Sequence, residues 1–335
     1  MKGHKDILKD KHGRAHNYLR ISLTERCNLR CTYCMPENGV QLTPKGHLMT
    51  YEEIYDIARL FVKHGVTKIR LTGGEPLIRK DIPVILEKLA SLPVELTMTS
   101  NGITIDRFIP DLKNNGINKL NISLDSLDAE KFKEITRRDQ FGKVYDNLLL
   151  LIKEGFCVKL NVVLIKGFND NEIIDFIQLT RKLPLTVRFI EFMPFDGNKW
   201  DITKMVSYNE VMHRIYETYD KNTVLRIQDA PNDTSKNYHI TGYQGTFAII
   251  SSVTNPFCDT CNRLRLTANG QLKNCLFSST ESDLLTSYRH GKPIEPIIQK
   301  AVQSKFSMRG GMDTLEKLRD PNLHSNNRSM ISIGG

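Results

Sequence analysis

The chain has 335 residues and carries 47 Lys and Arg against 38 Asp and Glu, a formal charge of +9. Hydrophobic residues make up 40% and charged residues 25%, an ordinary balance for a soluble globular protein of one large domain or two smaller ones. No apolar run is long enough for a membrane span, and the basic start MKGHKDILKDKHGRAHNY lacks the apolar core of a secretory signal. No basic run or aromatic-interleaved basic patch marks a nucleic-acid surface. The expectation is a cytoplasmic protein with neither membrane nor nucleic acid as a partner.

Residues 1–17 read as an N-terminal extension. From 18 to 195 the chain alternates strand-like and helix-like stretches. Strands are predicted at 19–24, 68–72, 95–99, 119–124, 159–165 and 186–192. Helices are predicted at 51–64, 82–92, 105–114, 144–154 and 171–183, the first opened by Thr50 with Glu53 three residues on, a capping-box pattern. Alternation at this spacing argues for βα units and a parallel sheet. The fold class is α/β: an incomplete (β/α)6 TIM-like barrel with a C-terminal cluster-binding extension over 196–335. A doubly wound sheet is the generic alternative.

The predicted strands are not continuously apolar, as strands buried on both faces would be. Leu19, Ile21 and Leu23 alternate with Arg20, Ser22 and Thr24. Ile69 and Leu71 alternate with Lys68, Arg70 and Thr72. Leu96 and Met98 alternate with Glu95, Thr97 and Thr99, and Val158, Leu160 and Val162 with Lys159 and Asn161. One face must meet the helices, so the polar face points inward and the lumen is wet. Arg20, Arg70, Lys159 and Arg188 are the inward cations. Burying unpaired charge costs several kcal/mol, and Glu95, Asp125 and Glu191 cannot neutralise all four. Converging Arg and Lys point to a polyanionic ligand such as a di- or triphosphate.

Seven cysteines are present, six of them in two tight groups. In a chain without a signal, such spacing reads as metal ligation rather than disulfides. Cys157, the odd one out, sits in an apolar run and is expected to be a small buried hydrophobe. Cys27, Cys31 and Cys34 form CxxxCxxC after the first strand. Structural zinc closes with four ligands; three thiolates on a four-iron cubane leave one iron open. A zinc knuckle completed by a distant residue stays open as a reading. Gly73-Gly74-Glu75-Pro76 follows the second strand, where paired glycines let backbone approach a ligand. Residues 196–250 read only as a connecting region with some strand character. Beyond them come Cys258, Cys261 and, after thirteen residues, Cys275. A two-residue Asn269-Gly270 turn is predicted to place Cys275 beside Leu264, back near Cys261. Zinc with one His, such as His290, or a second open-iron cluster would each use this trio.

CxxxCxxC with Tyr33 before its last cysteine, followed one βα unit later by GGEP, resembles the radical S-adenosylmethionine enzymes. The CxxC-x13-C hairpin with NRLRL, the IEFMP segment and the terminal Gly334-Gly335 are similar to the branch of that family that cyclises GTP in molybdenum cofactor biosynthesis. The resemblance runs over essentially the whole chain, with 196–250 contributing little. It implies two [4Fe-4S] clusters and S-adenosylmethionine as cofactors, GTP as substrate, an electron donor of flavodoxin or ferredoxin type, and a homodimer. It implies that Cys27, Cys31 and Cys34 hold the cluster that cleaves S-adenosylmethionine, with Tyr33, Gly74, Ser123 and Met193 contacting that cofactor. Cys258, Cys261 and Cys275 would hold the second cluster, against the guanine ring. Arg20, Arg70, Thr99, Lys159, Arg263, Leu264 and Arg265 would hold GTP. Arg20, Arg188, Gly334 and Gly335 are the expected catalytic residues, the tail entering the site. The radical formed would take hydrogen from the ribose C3′, and the ribosyl radical would add to C8. A peptide-modifying radical enzyme with an auxiliary cluster, or a zinc-dependent nucleic-acid binder, are the alternatives. Tight GTP binding excludes the first, and iron without zinc excludes the second.

Overall fold

The computed structural model describes residues 6–36, 38–324 and 327–334. All six expected strands form: β1 (Tyr18–Ser22), β2 (Lys68–Thr72), β3 (Glu95–Ser100), β4 (Lys119–Ser123), β5 (Cys157–Leu164) and β6 (Thr186–Glu191). They lie side by side in sequence order and run parallel. The helices between them are α1 (Tyr51–Lys63), α2 (Ile82–Ala90), α3 (Ile109–Asn114), α4 (Ala129–Thr136), α5 (Phe141–Lys153) and α6 (Ile173–Lys182). The capping box of α1 is made in both directions, Glu53 N to Thr50 Oγ1 at 3.3 Å and Thr50 N to Glu53 Oε2 at 2.7 Å. Helix α4 was not expected. It is short, it starts where Asp128 accepts from the amides of Glu130 and Lys131, and it stops at Arg137 in a left-handed conformation.

The alternation read from the strands holds. Leu19, Ile21, Ile69 and Leu71 are fully buried and share one core cluster with Ile54, Ile57 and Phe61 of α1. Each such side chain contributes roughly 1.5–3 kcal/mol by leaving water. The same alternation corrects the reading of Cys157, which is exposed. It opens β5 in phase with Lys159 and Asn161, on the face opposite the buried Val158, Leu160 and Val162.

The sheet does not close. It holds twelve strands among the described residues, β1 to β6 in sequence order at its centre and three further strands beyond each edge. The stretch read as a connecting region is α7 (Tyr208–Thr218) followed by β7 (Val224–Ile227), β8 (Lys236–Ile240) and β9 (Thr246–Ile250). Strand β9 pairs in parallel with β6 and antiparallel with β8. At the other edge β10 (Arg263–Leu266) pairs in parallel with β1, followed by β11 (Gln271–Lys273) and β12 (Ser282–Asp283) in antiparallel. The chain ends in α8 (Leu285–Arg289), α9 (Glu295–Gln303), α10 (Leu315–Arg319), α11 (Pro321–His324) and α12 (Met330–Ile333).

The β10–β11 hairpin is real, but its register differs by one from the expectation. Arg265 pairs with Lys273 and Leu266 with Leu272, so the same register carried outward sets Cys275 opposite Arg263, not Leu264. The turn holds three residues rather than two: Gly270 takes a left-handed φ of 72°, its amide donates to Thr267 O, and Thr267 N donates to Gln271 O. Among the described residues no helix is long and apolar enough to cross a membrane.

Candidate active site

The cysteine loop leaves the C-terminal end of β1 and is fastened on two sides. Arg30 N and Thr32 N donate to the carbonyls of Thr136 and Ile135 at the end of α4, at 3.0 and 2.9 Å. On the other side the loop after β2 lies directly against it, with Gly74 N on Thr24 O at 2.7 Å and Glu75 N on Arg26 O at 2.8 Å. A Cβ at Gly74 would stand 2.2 Å from Arg26 O and 3.1 Å from Cys27 Cβ, so glycine is needed for the approach. Glu75 is fully buried and accepts from Leu77 N, Ser100 Oγ and Asn101 N, tying the loop after β2 to the loop after β3. Burial pushes its carboxyl up to about 7. Asn101 Nδ2 in turn reaches Cys27 Sγ at 3.6 Å. Tyr33 donates from Oη to Asp125 Oδ2 at 2.8 Å, and Val163 N donates to Asp125 Oδ1 at 2.8 Å.

Burial raises the thiol of Cys27 to about 11, and burial together with Asp125 and the neighbouring thiols raises Cys31 and Cys34 well above the ordinary range. Cys258 is also raised by burial. At Cys261 burial is outweighed by Arg263 and Lys305, and the thiol falls to about 6. Among the described residues no three His, Cys, Asp or Glu side chains stand close enough to share one metal ion. A zinc ion needs its thiolates within about 2.3 Å. A cubane takes each cysteine on a different iron and suits a wider triangle of soft donors. His290, the expected zinc partner, bonds the carbonyl of Thr286 through Nδ1 at 2.7 Å.

A cavity of about 380 Å³ lies inside the sheet, lined by Arg20, Arg70, Thr99, Lys159, Arg188, Met193, Arg263 and Arg265 together with Tyr18, Lys68 and others. It also reaches Phe257, Asn262, Leu276 and Met330, the neighbours in sequence of the second trio and the tail. Lys68 is paired with Glu95 at 3.1 Å, while Arg70, Arg188 and Arg263 meet neutral partners. Arg70 Nε donates to Tyr18 Oη at 2.5 Å and its Nη1 to Met98 O at 3.2 Å. Arg188 Nε donates to Asn161 Oδ1 at 3.0 Å, and Arg263 stacks over Phe257 at 4.6 Å. The carboxylates named from sequence are engaged elsewhere. Glu95 pairs with Lys68 and Lys119, Asp125 with Tyr33, and Glu191 accepts from Val253 N and Thr254 N. Burial and the neighbouring cations, chiefly Arg70 at Arg188, depress Arg188 to about 9, and burial with Arg20 and Arg263 depresses Arg265. Leu264 lies between two lining arginines with its side chain buried in the core, leaving only its backbone for a ligand. Ser123 is half-buried at the end of β4.

The tail reaches the same place. Met330 lines the cavity, Ile331 N donates to Cys34 O at 3.5 Å, and Arg265 Nη1 donates to Gly334 O at 2.6 Å. Gly334 has φ 80°, and a Cβ there would stand 2.7 Å from Thr72 Oγ1 and 2.8 Å from Ser22 Cβ, at the ends of β2 and β1. Gly335 lies outside the described residues. Two features were missed from sequence. One is the loop between β7 and β8, residues 230–234, which brings Asp233 to the cavity wall. The other is a second cavity of about 350 Å³ beside Tyr33, bounded by Ile165, Gly167, Phe168, Phe192 and Asn198. Gly167, three residues after β5, was the available signal for the second.

A family model described as Radical SAM superfamily matches residues 21–180, and one described as Molybdenum Cofactor Synthesis C matches 185–309. A protein of Arabidopsis thaliana named "GTP 3′,8-cyclase, mitochondrial" is 48% identical over 336 residues, covering 98% of this chain and 84% of the relative. The "GTP 3′,8-cyclase" of Listeria monocytogenes is 40% identical over 338 residues, covering 98% of this chain and 99% of the relative. The chain belongs to the GTP 3′,8-cyclase family. It spans about half the length of the animal relatives it matches, such as the mouse "Molybdenum cofactor biosynthesis protein 1", at 49% identity and 51% of that protein. Streptococcus suis SuiB shares the fold, with a TM-score of 0.62 at 15% identity over 90% of this chain and 69% of that one. As a radical S-adenosylmethionine enzyme of this family, the chain takes S-adenosylmethionine and an iron–sulfur cluster as cofactors.

Proposed function

We propose that the chain converts GTP to (8S)-3′,8-cyclo-7,8-dihydroguanosine 5′-triphosphate, the first step of molybdenum cofactor biosynthesis. The observation that carries it is the cavity: Arg20, Lys68, Arg70, Lys159, Arg188, Arg263 and Arg265 surround one space whose only acid among the described lining residues is Asp233. Cations gathered at such cost in mutual repulsion and desolvation need a polyanion, and a triphosphate supplies it. The relatives named GTP 3′,8-cyclase support the choice of nucleotide.

In this reading residues 18–195 are the radical barrel, 196–335 supply the substrate side, and 1–17 are an extension. Cys27, Cys31 and Cys34 hold the first cluster. Cys258, Cys261 and Cys275 hold a second, a count supported by two cysteine trios for which the described residues offer no fourth donor. When bound, the first cluster supplies the electron that opens S-adenosylmethionine. Tyr33, Gly74, Ser123 and Met193 hold that cofactor, and the cavity beside Tyr33 offers room for its adenosyl part. Arg20, Arg70, Thr99, Lys159, Arg263 and Arg265 fix the triphosphate, with the backbone at Leu264 beside them. Arg188 stands ready where charge changes at the ribose. Gly334 closes the site over the strand ends, its carbonyl aiming Arg265, and Gly335, next in the chain, is proposed as a catalytic residue. An electron donor of flavodoxin or ferredoxin type, a homodimer and a cytoplasmic setting complete the reading.

Anaerobic reconstitution followed by iron, sulfide and zinc analysis and a GTP titration tests it. Two cubanes give about eight irons per chain, and the native chain binds GTP. Arg70→Ala loses a charge-assisted phosphate contact worth roughly 1.5–3 kcal/mol, so its GTP affinity falls about tenfold or more while cleavage of S-adenosylmethionine with dithionite persists. Zinc without iron, or an Arg70→Ala chain that binds GTP as the native one does, would remove the proposal.

A further inference from the structure

We propose that Lys305 conditions the second cysteine trio by donating a hydrogen bond from a buried ammonium to the sulfur of Cys261, and that His16 of the N-terminal extension positions it. The inference rests on the reading of Cys258, Cys261 and Cys275 as ligands of a second cluster. Lys305 is 2% exposed. Its Nζ stands 2.9 Å from His16 Nε2, 3.1 Å from Arg263 O and 3.5 Å from Cys261 Sγ, which uses all three of its hydrogens. A buried charge needs compensation. Of these three acceptors an imidazole and a carbonyl are neutral, and only the cysteine sulfur can carry negative charge, which it does as a metal ligand. Lys305 is therefore placed for a ligating thiolate.

His16 is 1% exposed, and its Nδ1 lies 2.9 Å from Leu8 O. A carbonyl can only accept, so the proton sits on Nδ1 and the lone pair of Nε2 faces Lys305. Burial and then Lys305 hold the ring neutral, with its pKa pulled down to about 4. The rest of the extension fastens the same strap. His12 Nε2 meets Lys305 O at 3.1 Å, and Arg14, fixed by Asp10 at 2.6 Å, donates to Phe306 O, Ser307 O and Cys258 O, each at 2.8 Å. A segment with no function legible in its sequence thus braces the backbone of residues 305–307 against a ligand cysteine. Hydrogen bonds and positive charge at ligand sulfurs favour the more negative, reduced cluster and raise its potential. Arg263 Nη2 at 3.8 Å from Cys261 Sγ and Arg309 N at 3.4 Å from Cys258 Sγ act in the same sense.

The test uses the full chain reconstituted anaerobically, in native form and as Lys305→Met, His16→Leu and His16→Gln, with iron counted and each cluster titrated against potential by paramagnetic resonance. The second cluster is identified as the one whose signal GTP perturbs. Lys305→Met is expected to hold about eight irons and to show a reduced-to-oxidised ratio at least tenfold lower in that cluster at fixed potential, equal to about 59 mV for a one-electron couple. The first cluster does not move. His16→Leu shifts the second cluster the same way by less, and His16→Gln, whose amide oxygen can accept from Lys305, returns it toward the native value. An unmoved potential in Lys305→Met overturns the proposal. Should that variant lose four irons, the His16 pair decides: a His16→Leu chain that titrates as the native one does overturns it. Four irons in the native chain would remove the second cluster itself, a failure visible before any variant is made.

Discussion

Tyr18 stands one residue ahead of the predicted first strand and was not singled out from sequence, yet it lines the cation-rich cavity. Its Oη accepts from Arg70 Nε at 2.5 Å, and Lys68 Nζ lies 5.5 Å from its ring centroid. Burial alone would raise the phenol; Arg70, Arg20 and Lys68 outweigh it and bring it down to about 8. The register also sets Arg263 of β10 beside it. As the empty site's pH rises through about 8, the phenol loses its proton and becomes an internal counter-ion. An entering triphosphate takes over that role and returns the proton. GTP binding near pH 8 therefore takes up a proton, and affinity falls as pH rises from 7.5 to 8.5. Tyr18→Phe removes both effects. Calorimetry in buffers of different ionisation heat measures the uptake directly; equal uptake in native and variant chains would show that the proton goes elsewhere.

At the scale of elements, what decides the site is how loops are held together at the strand ends. The loop after β2 lies on the cysteine loop with no room for a Cβ at Gly74. Gly74→Ala must push the two loops apart, because the obstacle is the backbone of Arg26 rather than a flexible side chain. It is expected to leave the sheet folded but to lose most of the iron of the first cluster, read as iron per chain beside an unchanged circular dichroism spectrum. Gly142, inside α5 with open space around it, is the control: alanine there costs no iron and adds roughly 0.5–1 kcal/mol of stability. The six barrel strands were legible because each presents one face to helices and one to a polar lumen, so period-two alternation marks Arg20, Arg70, Thr99 and Lys159 in the sequence itself. The far edge was not. In β7, Leu225, Arg226 and Ile227 are all exposed, and an edge strand with no buried face leaves no alternation to read. Asp233 reaches the cavity only through the folding of that edge. Lys305 meets His16 across 289 residues, which no local pattern encodes. The hairpin was legible as a hairpin, but the count of turn residues depended on the left-handed φ at Gly270 and on the Thr267 side chain, which bonds Asn269 Oδ1 and accepts from Gln271 N. Neither shows in a two-residue turn signal.

For the whole molecule, the charge of +9 is better described by where it gathers than by its sum. Among the described residues seven cations line a single cavity with one acid, while many others sit in exposed pairs such as Lys113–Glu154 and Lys143–Asp106, which are worth little. A field focused in one concave site should dominate binding and be weakened by salt. Binding should therefore depend on the number of phosphates more than on the base. Because a ligand that binds only the folded chain stabilises it by about 2.7 kcal/mol at a hundred times its Kd, thermal unfolding of the cluster-free chain reads this without any turnover. GTP is expected to raise the midpoint most, GDP less, GMP little and guanosine not at all. The GTP shift should shrink between 50 and 500 mM salt while that of any neutral ligand stays fixed. Cluster-free protein is the informative sample, since the second trio cannot then hold the guanine and only the cations remain. A guanosine shift equal to that of GTP, or a GTP shift indifferent to salt, would mean that the arginines and lysines around the cavity are compensated by groups of the protein itself and that the nucleotide is held by something else.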